Sequence, residues 1–277
     1  MSLRIATNVQ SLAAQRYLSN NHDAQNRSLE RLASGSRINR AGDDAAGLAI
    51  SERLKANIRS MKQATRNAAD GISMVQVAEG AMNEISNILI RLRELSIQTA
   101  SDTLGDTERS FVDKEAQALK QEIDRIAAGT EFNGLKLLNG EVDRLEIQVG
   151  INNHPINDRF VFDSRNLITS TQSLGLKDVA NNTREASQMN LESLDKAITK
   201  VNENRSSLGA LQNRLQSTIN NLQIYRENLE GANSRIRDAD MAEETAELTK
   251  SNILSQANVS VLSQANQNSA MALKLLG

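Results

Sequence analysis

The chain has 277 residues, enough for one large domain or two modest ones, yet it has no Trp, only 2% aromatic residues and a single proline, Pro155. Aromatic rings supply much of the buried area of ordinary cores and Pro breaks helices, so this composition excludes an aromatic-rich globule and favours helices packed lengthwise by Leu, Ile, Ala and Val. A formal net charge of −2 gives no reason to expect a nucleic-acid partner, and the absence of Cys excludes disulfides, thiolate catalysis and sulfur-ligated metals.

The N-terminal stretch Met1–Asn21 carries only Arg4 and Arg16 as charges, among Leu3, Ile5, Val9, Leu12, Tyr17 and Leu18. It has no basic segment followed by an apolar run, so no Sec-type leader is expected. A long helix is then expected from Asp43 or Asp44 to a point before Gly105. Its seam runs through Met61, Ala64, Ala68, Gly71, Val75, Ala78, Met82, Ile85, Leu89, Leu92, Ser96 and Thr99, in alternating steps of three and four. A second stripe through Ile58, Ile72, Ile88 and Leu95 predicts two neighbours for this helix.

A shorter helix is expected from an N-cap at Asp106 to a C-terminal stop at Gly129, burying Val112, Ala116, Leu119, Ile123 and Ile126. The period then changes to two at Leu145, Ile147 and Val149. A turn at Asn152–Pro155 and a return strand over 159–163 complete a hairpin near 143–163. The polar segment 169–187 reads as a short connection. A last long seam includes Leu194, Ile198, Val201, Arg205, Leu208, Leu211, Leu215, Thr218, Leu222, Tyr225, Leu229, Ala232 and Ile236, with one irregular step beside Gly209. A helix over 190–232 would be about 65 Å long at 1.5 Å per residue.

No charge occurs between Ser251 and Leu273, a stretch holding Ile253, Leu254, Val259, Val261 and Leu262. Its Asn, Gln and Ser content makes it too polar for a membrane span. Residues 1–42 are mainly basic and residues 238–277 mainly acidic, which favours pairing of the two ends. The expected fold is mainly α: an elongated rod of long antiparallel coiled-coil-like helices with one small β-hairpin, plus a paired layer of N- and C-terminal helices. The two seams and two uncharged ends leave more apolar stripe than one monomer can cover, so other copies of the chain are the expected partner.

Enzyme chemistry has no support. His22 and His154 are far apart, Asp43 and Asp44 read as a helix start, and Asp238, Asp240, Glu243 and Glu244 lack the alternation of a calcium loop. No phosphate-cradling loop or nucleophile elbow occurs, and no catalytic residue, cofactor or metal is expected.

Several blocks, in order, resemble bacterial flagellins: Ile5–Leu12, Leu32–Asn39, Ala41–Ala49, Glu131–Leu138, Ser234–Glu244 and the Leu-rich end Leu273–Gly277. The resemblance covers nearly the whole chain. It implies that 1–43 and 236–277 pair as an inner, filament-core layer, with Leu3, Ile5, Val9, Leu12, Leu254, Val261, Leu262 and Leu273 as self-assembly residues. Residues 44–168 and 188–235 would form the surrounding helical rod, and 169–187 would replace the outer domains of larger members. The implied function is a structural subunit of the extracellular flagellar filament, a propeller for motility, exported through a type III apparatus without a cleaved signal peptide. Implied partners are the chain itself, the flagellar cap, junction proteins, an export chaperone and the export apparatus; no membrane partner is implied. Arg91, Leu95 and Gln98 match a pattern read by a host Toll-like receptor and lying on an inter-subunit surface. A hook–filament junction protein and a soluble coiled-coil adaptor are the alternative readings.

Overall fold

A computed structural model describes residues 7–274, with side chains described through residue 267. Leu3, Ile5 and the side chain of Leu273 lie outside the described residues. Five helices and two small antiparallel hairpins follow in the order α1 (Val9–Ser34), α2 (Ala45–Thr99), α3 (Asp106–Gly129), β1 (Glu131–Phe132), β2 (Leu135–Lys136), β3 (Arg144–Gln148), β4 (Arg159–Asp163), α4 (Arg184–Arg237) and α5 (Met241–Lys274). Internal contacts divide the chain into two compact units. One brings together the stretches ending at Ala56 and beginning at Asn228; the other is Asn57–Glu227.

The first unit rests on an antiparallel pair, α1 against α5. The Asn8 side chain caps α1 by accepting from the Ser11 N–H at 3.0 Å. Gly35 ends α1 in the left-handed region (φ 68°), a conformation glycine adopts without a Cβ penalty, and its N–H closes on the Arg31 carbonyl. The chain then pairs with the break between α4 and α5: Arg37 N–H donates to the Arg237 carbonyl at 2.7 Å, and Ala239 N–H donates to Gly35 at 3.0 Å. Asp44 accepts from Gly47 N–H at 2.8 Å at the start of α2, and Asp240 accepts from Ala242 N–H at 2.8 Å at the start of α5. These carboxylates satisfy backbone donors that helix starts leave unpaired.

The second unit has a continuous apolar core. Every residue of the expected 61–99 seam is buried, together with Ala116, Ile123 and Ala127 of α3 and Leu194, Ala197, Val201, Leu208 and Leu215 of α4. Within this unit α2 and α4 run antiparallel, since Arg93 pairs with Asp195 while Leu215 lies beside Gly71. The hairpin β3–β4, with Ile147 opposite Phe160, packs on the same core. Gly71 makes this possible: a Cβ there would stand 2.8 Å from Cδ1 of Ile147.

Four details differ from the sequence expectation. In α4, Ala197 and Asn204 are buried where Ile198 and Arg205 were expected, and the latter two are only half-buried, so the steps 201, 204, 208, 211, 215 alternate regularly and no irregularity falls at Gly209. Tyr225 is exposed rather than in the seam. Helix α3 takes Gly105 as its N-cap and Thr130 as its C-cap, with Asp106 and Gly129 its first and last residues. A second hairpin, β1–β2, forms around Asn133 (φ 50°) and Gly134 (φ 80°), the left-handed pair that a two-residue turn requires.

Segment 169–182 is more than a polar connection. Leu174, Leu176 and Val179 are buried in the core. A polar row on α3 holds its backbone: Asp124 accepts from Thr171 N–H, Lys120 Nζ donates to the Lys177 and Val179 carbonyls at 2.9 Å each, and Asp113 accepts from Asn181 N–H. Burial pushes the Lys120 pKa below its usual range, and Asp113, Asp178 and Asp124 oppose the shift.

Candidate assembly surface

Helices α1 and α5 meet through small and polar side chains. On α1 the inward positions are Ser11, Ala14, Leu18, Asn21, Gln25, Ser28 and Leu32; on α5 they are Glu244, Leu248, Ser251, Ser255, Asn258, Leu262 and Ala265. Both rows alternate in steps of three and four, the spacing of a coiled-coil seam. Direct hydrogen bonds cross it: Ser11 Oγ to Asn266 Oδ1 at 3.0 Å, Asn21 Nδ2 to the Ser251 carbonyl at 2.7 Å, and Asn8 Nδ2 to the Ala265 carbonyl at 2.9 Å. One ion pair sits within it, Arg31 to Glu244 at 2.8 Å, with Glu244 buried and Ser28 beside it. That pair is the local form of the opposite charge seen on the two ends.

The large apolar side chains point elsewhere. Val9 is 63% exposed, Leu12 57%, Leu254 45% and Val261 56%; Tyr17, Leu29, Ile253 and Val259 are exposed as well. Leu262 differs from its neighbour: it is half-buried in the seam against α1. Two helices that spend small polar residues on each other and leave Val, Leu and Ile in water invert the usual arrangement of an amphipathic pair. Such a pair leaves an apolar face exposed.

Known families match this arrangement. The family model for the bacterial flagellin N-terminal helical region matches residues 5–143, and the C-terminal helical region matches residues 191–276. A flagellin of Halalkalibacterium halodurans is 44% identical over 97% of this chain and 98% of its own length. The chain belongs to the bacterial flagellin family. A flagellin of Bacillus subtilis is 41% identical over 99% of this chain and all of its own. The crystal structure of Bacillus cereus flagellin superposes with a TM-score of 0.51 at 33% identity, covering 57% of this chain and 88% of that one.

As a flagellin, the chain places its other expected surface only in part. Arg91 and Gln98 are exposed on α2, whereas Leu95 is 1% exposed and packs in the core. The four- and three-residue steps of the pattern do not keep Leu95 on the outer face; it falls on the second, inward stripe. Arg91 donates to Glu115 of α3 at 2.9 Å and to Glu94 at 3.1 Å, and these carboxylates raise its pKa. Ile90 and Ile97 stand exposed beside it instead. The polar seam of α1 and α5 was missed because apolar periodicity cannot register it; the readable signal was Ser, Ala and Asn recurring at three and four. Among the described residues no cluster of His, Asp and Glu is arranged to hold a metal ion, and no helix is long and apolar enough to cross a membrane.

Proposed function

We propose that the α1–α5 pair is the assembly surface of this flagellin, joined internally by its polar seam and completed by other copies against Val9, Leu12, Leu254 and Val261. The chain is a structural subunit of the flagellar filament, an extracellular appendage, and self-polymerisation is the family's property. The observation that carries the finer reading is the inverted burial of the two terminal helices. Burying one Val or Leu contributes about 1.5–3 kcal/mol, so several such residues per subunit outweigh the ordering cost that assembly imposes.

Leu3, Ile5 and Leu273 extend the same surface in this proposal. The cap, the junction proteins, an export chaperone, a type III export apparatus and a host Toll-like receptor belong to it through the family resemblance alone. Nothing in the chain favours the junction-protein alternative. The test is electron microscopy of purified chain under polymerising conditions: helical filaments support the reading, and a chain that stays monomeric with both ends intact contradicts it. Removing residues 251–277 should leave a folded second unit that forms no filament.

A further inference from the structure

A groove of about 360 Å³ opens beside β3. Met74, Leu145 and Ile147 are part of its apolar lining, with Phe132 and Leu135, and the carboxylates of Asp70 and Glu146 line it as well, both on exposed residues. Glu146 is neutralised by Arg159 at 2.9 Å, whereas the Asp70 carboxylate has no ion pair or hydrogen bond among the described residues.

The same unit carries a feature of opposite character. Phe111, in the second turn of α3, is 61% exposed. The Lys114 ammonium lies 5.6 Å from its ring centroid, and no carboxylate pairs with that cation among the described residues. An apolar ring with a cation beside it complements an apolar groove with a free carboxylate at its edge. A Phe side chain has about 150–250 Å² to bury, which makes such a ring a natural anchor.

The two features cannot meet within one copy. Arg91 pairs with Glu115, next to Lys114, and Asp70 precedes Arg91 on the same continuous helix α2 by about 31 Å at 1.5 Å per residue. We propose that Phe111 and Lys114 of one copy dock in the groove beside β3 of a second copy, Phe111 against Ile147 and Met74 and Lys114 facing Asp70. This rests on the filament reading and deepens it. Because the donor and acceptor patches are different surfaces, the contact is head-to-tail, and a head-to-tail contact whose rotation does not close into a ring propagates into an open helical assembly.

The chain has no Cys, so an introduced pair of thiols is unambiguous. Full-length chain carrying Lys114→Cys and Asp70→Cys is polymerised under reducing conditions and then oxidised. The expected result is a ladder of covalent oligomers on a non-reducing gel, absent from either single variant. Filaments visible by microscopy without a ladder overturn the docking and leave the filament reading standing; wild-type chain that never polymerises overturns both. A ladder from Asp70→Cys with Ile156→Cys instead, at the 81% exposed tip of the β3–β4 turn, assigns the groove to another segment and also overturns it. Should the thiol pair itself block polymerisation, charge reversal decides. Lys114→Asp and Asp70→Lys each slow elongation about tenfold, and the double variant recovers it; failure of that recovery overturns the proposal.

Discussion

The two units of this chain bury opposite kinds of side chain. Residues 57–227 enclose Met82, Ile85, Leu89, Leu92 and Phe162, each essentially inaccessible. The terminal pair encloses Ser11, Ala14, Ser28, Glu244, Ser251 and Ala265 and leaves its Val, Leu and Ile outside. Apolar burial is what offsets chain entropy, so the 57–227 unit has the larger share of it, and the terminal unit has most to gain from covering its outer face. This division suits the proposed role: one part holds its own apolar core, and the other presents an apolar face for neighbouring copies to cover.

The most severe way to break the contrast is Val261→Asp. It places a carboxylate on the outward face of α5 and is expected to abolish polymerisation in a sedimentation assay, while the melting of the 57–227 unit moves by less than about 0.5 kcal/mol. Leu92→Ala should do the reverse in kind, costing about 2–5 kcal/mol in thermal unfolding because it empties a fully buried site. Glu244→Ala leaves Arg31 without its partner in the seam and should raise the critical concentration for assembly about tenfold, with unit 57–227 unaffected. Arg91→Ala, by contrast, removes exposed ion pairs to Glu94 and Glu115, so the unfolding midpoint should not change measurably.

How much of this was legible in the sequence follows the same division. The seam from Met61 to Thr99 could be read residue by residue, because apolar and small side chains at three and four report burial directly. The strands Arg144–Gln148 and Arg159–Asp163 were legible from their alternation. In α4, Ile198 and Arg205 fit the apolar spacing where Ala197 and Asn204 are buried, since a small or polar residue inside a core looks like surface in a sequence. Leu95 carries two readings: the apolar stripe with Ile58, Ile72 and Ile88 places it inward, where it lies, whereas a motif match gives residue spacing and no face. The Asn133–Gly134 turn carried its hairpin signal in plain view, but its strands have two residues each and show no period to count. The hold of α3 on segment 169–182 was illegible, because Asp113, Lys120 and Asp124 bond to backbone atoms that no sequence pattern marks. The terminal helices were recognised from what they lack, charge, and their polar seam became visible only once both helices could be set side by side.

Hydrogen exchange of monomer and filament, compared amide by amide, tests the central claim most directly. Strong protection is expected over 61–99 and 190–219 in both states, and protection over 9–34 and 241–267 that rises by orders of magnitude only in the filament. Terminal helices as protected in the monomer as in the filament would contradict it.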